Sequence, residues 1–580
     1  MPRPFAPKLW RLHHGDDDAE LTLQRELDLH PTVAMLLVQR GITDPAAAHR
    51  FLYPSLDHMH DPFLLPDAEV ACERLKTAIN NKEKILVHGD YDGDGVTSAA
   101  LWTRCLRALG ANVDVFVPHR GRDGYDMRSP FIERAKQEGV SLIVTTDCGI
   151  QRINEVEMAR EAGIDVIITD HHTPNASGAL PKAVAVVNPH RADSKYPFAD
   201  LAGVGVAFKL CEALTRHLGI SVSAFRRGYM DLAAIGTVTD VMPLIDENRI
   251  LVKFGLEALQ TTRKPGLRAL ADVSGYADKA IDSHGVAFAM GPRLNSASRI
   301  DETQHALDLL LTKDESEARA LAQRLDQFNL ERRTVQERIF QEAMQQVTTM
   351  DLESTRCVVV AGEGWSGSVV GIVASKIVER TCRPCVVIAL DGEGSGRGSA
   401  RSIAAFNVFQ AIDACGPLLR EYGGHAHAAG LSIKAGNVSA FAEQMNDIAC
   451  SRLSEEDCVP TLMASAEIPI TDVSAKLLDQ ISMLRPFGNA NPEPQFISKG
   501  VRIVDIKRMG QDGKHLKLIL KAEGVNPLDT VDAPWWNRGE LADVLDREMS
   551  MDLCYRPQFN HFNGRRSIQF LLEDIRPADW

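Results

Sequence analysis

Between residues 84 and 189 the chain repeats one pattern. Short apolar runs, KILVHGD, NVDVFVP, SLIVTTD, DVIITDHH and AVAVVNP, are separated by helix-like stretches such as VTSAALWTRCLRALG, SPFIERAKQEG and INEVEMAREAG. Runs this short and this uniformly apolar read as strands buried on both faces. Strands alternating with helices predict a parallel sheet covered by helices. Such a sheet places its ligands beyond the carboxyl ends of its strands, and it is there that the acidic residues of this segment fall. KILVHGD runs into the loop DYDGDG, SLIVTTD ends at Asp147, and DVIITDHH ends at Asp170, His171 and His172. LAAIGTVTD, read as a further strand, ends at Asp240.

The loop itself, VHGDYDGDGV, has aspartates at alternate positions. A calcium-binding EF-hand loop needs a bidentate Glu at its twelfth position and a preceding helix. Counted from Asp90, that position is Leu101, and the preceding segment reads as a strand. The calcium reading therefore fails. Any one Asp here could cap a helix, but acids at four strand ends point to a metal centre built from His88, Asp92, Asp94, Asp147, His171 and Asp240, with Asp90 in the same loop. Carboxylates with imidazole suit Mn2+ or Mg2+. Two such ions serve in-line phosphoryl displacement. Asp147 is the candidate bridge between them. His172 lies behind the ligands, where it would touch the phosphate or the leaving oxygen.

The chain has 580 residues, 44% of them hydrophobic, too many for one core. The expected domains are a lead-in over 1–65, a catalytic α/β lobe over 66–255, and a helical region over 256–350 with one long connecting helix. A second α/β lobe over 351–455 and an OB-like β-barrel over 456–580 complete the fold. The long helix follows from KDESEARALAQRLDQFNLERRTVQERIFQEAMQQV, which lacks Gly and Pro. The barrel follows from alternating tail segments with Gly-containing turns. No apolar run is long enough to span a membrane, the first residues lack a secretory h-region, and eleven scattered cysteines read as reduced thiols. A cytoplasmic protein is the expectation. A net charge of −14 argues against a protein that coats duplex DNA. The tail from Ile497 to Ala522 nevertheless carries seven Lys or Arg against two Asp, which suits a single-strand groove. Trp535, Trp536, Phe559 and Phe562 are possible base-stacking residues there, with a barrel core as the ordinary alternative.

With these residues in view, the chain resembles the DHH phosphoesterase superfamily, and within it the RecJ family of single-strand-specific exonucleases. HGDYDGDG, TTDCG, TDHH and AAIGTVTDVMPL match the first four family motifs in order. GPRLNSASRID, EGWSGSVVGIVASK, and GSARSI with GGHAHAAG resemble the later ones. PFGNANPEPQF resembles the approach to the OB-fold. The resemblance implies a metal-dependent 5′→3′ exonuclease on single-stranded DNA, working with Mn2+ or Mg2+ in recombination and repair. It releases 5′-mononucleotides and depends on a helicase and a single-strand-binding protein to supply the strand; a monomer is expected. It also implies that Asn295, Arg299, Ser399, Arg401 and His425, beside Gly424, meet substrate phosphates, and that Arg120 and Tyr125 lie near the 5′ end. One departure stands out. The family's Gly-Trp-His reads Gly-Trp-Ser, with Ser366 in place of the His and Ser368 in place of a usual Gly. Serine keeps a hydrogen bond but is not an acid near neutral pH. Two other readings stay open: a DHH-type hydrolase of short oligonucleotides, cyclic dinucleotides or pyrophosphate, and a catalytically silent DNA-binding scaffold.

Overall fold

The computed structural model describes residues 8–13, 15–119, 123–124, 126–175, 177–300, 303–521, 530–562 and 564–578. The chain divides into two compact units, one of residues 13–329 with 465–580, the other of residues 330–464 with the N-terminal segment through Leu12. The helix Glu315–Thr348 runs from one into the other.

The first unit holds the predicted parallel sheet. Its five strands lie in the order Asn112–Phe116, Lys84–Gly89, Leu142–Thr146, Asp165–Thr169 and Ala185–Val187, and every neighbouring pair is parallel. The chain leaves the first strand outward to Asn112–Phe116, then crosses back to Leu142–Thr146 on the other side. Successive connections therefore diverge between Lys84–Gly89 and Leu142–Thr146, and a crevice opens at their carboxyl ends. The helices Gly93–Ala108, Gly203–His217 and Val222–Thr239 pack on this sheet and on one another.

One predicted strand is a helix. LAAIGTVTD forms the last turns of Val222–Thr239, and Asp240 caps its C-terminus. The run is apolar throughout because it is buried on all sides among other helices, so the periodicity that separates helix from strand is erased. Gly236 permits this packing. A Cβ there would lie 2.4 Å from Thr97 Oγ1 and 2.9 Å from Asp94 Oδ1.

The same unit ends in the predicted barrel. Phe496–Met509, His515–Lys521, Val531–Trp535, Arg565–Pro577 and Ser550–Phe562 follow one another in the sheet, and Phe496–Met509 also pairs with Ser550–Phe562, closing the ring. Tyr555 stacks on Phe570 at 4.1 Å in its core. Two arginines and an asparagine fasten the approach to this barrel. Arg249, buried and lying 3.9 Å over the Phe51 ring, donates to the carbonyls of Phe51, Met483 and Leu484. Asn491, fully buried, donates to the carbonyls of Leu484 and Pro486 and accepts from Arg40.

The second unit has a five-stranded mixed sheet in the order Leu419–His425, Ala428–Lys434, Ser395–Arg401, Cys385–Leu390 and Val358–Glu363. Only the last two strands are parallel. Helix Val370–Thr381 covers one face, and Cys382 and Cys385 connect it to the next strand. No helix among the described residues is long and apolar enough to cross a membrane.

Replacing Asn491 with Ala leaves two carbonyls and one guanidinium nitrogen without their partner in a dry site, at a cost of about 2–3 kcal/mol. Asn491→Ala is expected to lower the melting temperature of the unit that holds it by about 2–3 °C, read by differential scanning calorimetry.

Candidate metal centre

The acidic loop is shorter than its sequence suggests, because helix Gly93–Ala108 begins within it. Asp92 is the N-cap, its carboxylate accepting from the Asp94 and Gly95 amides at 3.0 Å each. Asp92 is thus both helix cap and site residue. Asp94, one position inside the helix, is turned inward and buried. Its two oxygens accept from the backbone amides of Gly203 and Val204 at 2.7 and 2.8 Å. These amides open helix Gly203–His217, and a helix N-terminus is a natural seat for a carboxylate. Asp147 follows its strand in a left-handed backbone conformation, φ 61°, which non-glycine residues adopt only where their surroundings hold them. A Cβ on Gly203 would lie 2.6 Å from the Asp147 Cβ, so only glycine lets the helix come this close.

Three groups of ligand atoms lie within 4.8 Å of one another: Asp90, Asp92 and Asp147; Asp94, His171 and Asp240; and Asp147, His171 and His172. The structure thus brings together seven of the predicted residues, drawn from three strand ends and one helix end. His171 Nε2 is 3.1 Å from Asp147 Oδ1 and 3.7 Å from Asp240 Oδ2. His88 stands outside these groups. It is buried, its Nδ1 is 3.6 Å from the Cys148 sulfur, and its ring lies edge-on to Phe131.

The electrostatics are those of a site built for cations. Burial, then the charges of Asp94 and Asp92, push the Asp240 carboxyl up to about 9. Burial and Asp92 push Asp94 up to about 7. Asp90 and Asp147 are raised well above the usual carboxylate range, by burial first and neighbouring carboxylates second. Among the described residues no Lys or Arg pairs with any of these acids, and Asp90 Oδ1 is buried without a hydrogen-bond partner. Hard carboxylate oxygens with one or two imidazoles fit Mn2+ or Mg2+.

The two adjacent histidines differ. Burial, reinforced by the His172 charge, lowers His171 to about 4, leaving it neutral. Burial alone would lower His172 too, but its 2.7 Å hydrogen bond to Asp170 raises it to about 9. Asp170 itself faces away from the cluster. It accepts from the amides of Ile150, His171 and His172.

The remaining predicted residues fall in several places. Asn295 accepts from the Gly93 amide at 2.7 Å, so it braces the acidic loop. Arg299 ends helix Gly291–Arg299. In the second unit, Arg401 and His425 lie in one row across the sheet, through Ala428. Ser399 shares their face, 3.0 Å from the Arg401 Nη1. Gly371 of helix Val370–Thr381 packs so close that a Cβ would be 3.0 Å from both Ser399 and Arg401. Gly424, at φ 149°, lets the neighbouring strand approach. Ser366 and Ser368, the two departures from the family pattern, hydrogen-bond to each other at 2.8 Å. Arg120 and Tyr125 lie outside the described residues. The Gly203 and Val204 amides were not foreseen; the Gly-x-Gly at the start of LAGVGVAF carried the signal.

This sheet, and four of the five carboxylates over its switch point, lie in a DHH-family domain. The chain matches the DHH family N-terminal domain over residues 84–237, the DHHA1 domain over 354–450 and the RecJ OB domain over 464–574. It is 37% identical to the single-stranded-DNA-specific exonuclease RecJ of Bacillus subtilis, over 98% of this chain and 71% of that one. The crystal structure of Thermus thermophilus RecJ in complex with Mn2+ superposes with a TM-score of 0.82 at 32% identity, covering 98% of this chain and 79% of that one. The same protein in complex with Mg2+ gives 0.76 at 30% identity, over 98% and 78%. The chain belongs to the RecJ family.

Raised carboxyls destabilise the metal-free fold as pH climbs. A carboxyl held near 9 in the folded chain but near 4 when unfolded gives up its proton on unfolding, so its contribution to stability is lost as pH rises to 9. His172, raised from 6.5 to about 9, acts in the same direction. The chelated protein is therefore expected to lose thermal stability between pH 7 and 9, and Mn2+ to raise the melting temperature more at pH 9 than at pH 7. Scanning calorimetry with EDTA and with Mn2+ checks both.

Proposed function

We propose that the protein is a Mn2+- or Mg2+-dependent exonuclease that degrades single-stranded DNA from its 5′ end to 5′-mononucleotides, in recombination and repair. The observation that carries this reading is the convergence of five carboxylates and two histidines at the switch point of the sheet, in a chain of the RecJ family. Asp90, Asp92, Asp94, Asp147, His171 and Asp240 would hold the ions, and His88 would complete the set. Bound there, the cations supply Lewis-acid charge to the scissile phosphate. Asp94 is fixed by two amides, so its oxygens keep their direction when substrate arrives. His171 is neutral, as a metal ligand must be. His172, raised to about 9 by its hydrogen bond to Asp170 through Nδ1, would touch the phosphate or the leaving oxygen. Ser399, Arg401 and His425, on one face of the second unit, are candidate phosphate contacts; Asn295 and Arg299 are candidates of the same kind on the first unit. Within the acidic whole the barrel stretch Ile497–Ala522, with seven Lys or Arg against two Asp, suits a single strand held salt-sensitively. A helicase and a single-strand-binding protein supplying that strand, and action as a cytoplasmic monomer, belong to the same reading.

The test is digestion of a single strand labelled at one end, with Mn2+, Mg2+ or EDTA. Immediate release of a 5′-labelled mononucleotide, dependent on metal and abolished in Asp147→Ala, is the expected outcome. Cleavage of di- to pentanucleotides alone would favour a short-oligonucleotide hydrolase. Binding without cleavage of either would favour a silent scaffold. Ser366→His, which restores the family's side chain beside helix Val370–Thr381, is expected to raise the turnover number by about tenfold or more without changing metal affinity.

A further inference from the structure

His88 is held differently from the other predicted ligands. It is the last residue but one of strand Lys84–Gly89 and is 1% exposed. Its ring packs edge-on to Phe131 at 4.4 Å and against Phe116 at 5.5 Å, and those two rings stack on each other at 5.2 Å. The Arg134 guanidinium covers Phe116 at 4.4 Å. Aromatic walls fix the plane of an imidazole but leave its two nitrogens to be satisfied. Among the described residues, the side-chain atom within hydrogen-bond reach of the ring is the Cys148 sulfur. It lies 3.6 Å from His88 Nδ1 and 3.7 Å from the His88 carbonyl oxygen.

Cys148 is placed as firmly as the ring it faces. It follows Asp147, whose backbone is held in the left-handed region. The Cys148 carbonyl accepts from Thr145 Oγ1 at 2.8 Å, and the Ile150 amide donates to the Asp170 carboxylate at 3.0 Å. Gly149, at φ 108°, lets the turn close, since a Cβ there would lie 2.7 Å from Thr145 Oγ1. Cys148 is itself 1% exposed. None of the three groups of converging ligand atoms includes its sulfur, so it is a neighbour of a ligand and not one of the set.

The two contacts of the sulfur allow two arrangements of protons. A thiol donating to Nδ1 puts the ring proton on Nε2, and neither nitrogen then has a free lone pair. A thiol donating to the His88 carbonyl leaves the sulfur to accept from Nδ1–H, and Nε2 keeps its lone pair. Only the second suits a metal ligand, because a ligating imidazole donates its other N–H to a neighbour that fixes its tautomer and orientation. We infer that Cys148 is a positioning residue for His88: its sulfur accepts from Nδ1–H, its thiol hydrogen goes to the His88 carbonyl, and the two contacts together keep Nε2 free for a cation. The inference rests on the metal-dependent reading above and adds a residue to which that reading gives no role. Charge accounts for a sulfur at this position. The usual partner of a ligating histidine is a carboxylate or a backbone carbonyl. A sixth carboxylate would deepen the repulsion among the five already gathered here. A neutral thiol is a weak acceptor, but it orients the ring without adding charge.

The test is a mutant cycle read by Mn2+ binding. The full-length protein, stripped with EDTA and dialysed, is titrated with Mn2+ by isothermal calorimetry as the wild type, Cys148→Ala, His88→Ala and the double variant. Cys148→Ser, closer in volume to cysteine, is titrated in both backgrounds as a second replacement. Cys148→Ala is expected to weaken the apparent Mn2+ affinity by about tenfold. Cys148→Ser should weaken it as well, because its oxygen sits on a shorter bond and so farther from Nδ1. In the His88→Ala background either substitution should cost less than about twofold. Circular dichroism checks that each variant folds. A thiol that only fills space would cost as much without His88 as with it. That outcome, or unchanged affinity in Cys148→Ala, overturns the inference and leaves the metal-dependent reading intact. Failure of the wild-type protein to bind Mn2+, or undiminished binding by His88→Ala, removes the reading that names His88 a ligand, and this inference with it.

Discussion

Carboxylates packed together in a dry crevice repel one another, and much of the catalytic unit is arranged around that repulsion. Asp90, Asp94 and Asp147 are almost wholly buried, with no Lys or Arg paired to them among the described residues. The fold supplies partial compensation through backbone dipoles. The N-terminus of helix Gly203–His217 points two amides at Asp94, and the first turn of helix Gly93–Ala108 points two at Asp92. Glycines permit the close approach: Gly203 brings helix Gly203–His217 against Asp147, and Gly236 brings helix Val222–Thr239 against Thr97 and Asp94. Dipoles carry only partial charge, which leaves the site deficient by whole charges. Cations make up the difference, so affinity for metal and stability of the fold are two aspects of one electrostatic problem.

The barrel is part of this unit through specific polar contacts. Arg249 is buried, with no acid paired to it among the described residues, and is stabilised by three carbonyls and an aromatic face. That arrangement lowers its pKa to about 9 through burial, and it fixes the direction in which the chain leaves the helix Ala475–Ser482. Asn489 then reaches the carbonyl directly after Asp240. The segment PFGNANPEPQF, which reads in sequence as an approach to a barrel, is in space a brace on a loop of the metal centre. The barrel is therefore tied to the acidic cluster through this one stretch of backbone.

The sequence exposed most of this architecture because parallel strands are short, apolar and punctuated. Each run from KILVHGD to AVAVVNP forms a strand, and the acids at their ends meet as parallel-sheet topology requires. It hid what depends on tertiary packing. Asp240 belongs to a helix that a uniformly buried run disguised. Asn295, an apparent phosphate ligand by resemblance, spends its carbonyl oxygen on the Gly93 amide. Phe288 sits beside a family motif without belonging to the chemistry of that motif, and no periodicity predicts that its helix opens into a π turn to expose it. Trp535 and Trp536 are adjacent in sequence, and only strand direction separates a buried ring from an exposed one.

The dipeptide His171-His172 shows how position divides chemistry between identical side chains. Both follow the same strand and their rings lie 4.6 Å apart. His171 turns toward Asp147 and Asp240, where burial and the neighbouring cation keep it neutral. His172 turns back onto Asp170, whose charge is fixed by three backbone amides, and becomes a cation. Each state reinforces the other, because a charge on one ring opposes a charge on its neighbour. A neutral imidazole can bind metal and a charged one can only donate. The same separation of neighbouring pKa values that assigns acid and base roles elsewhere here sets a neutral and a charged imidazole side by side, and it is fixed by the Asp170 carboxylate.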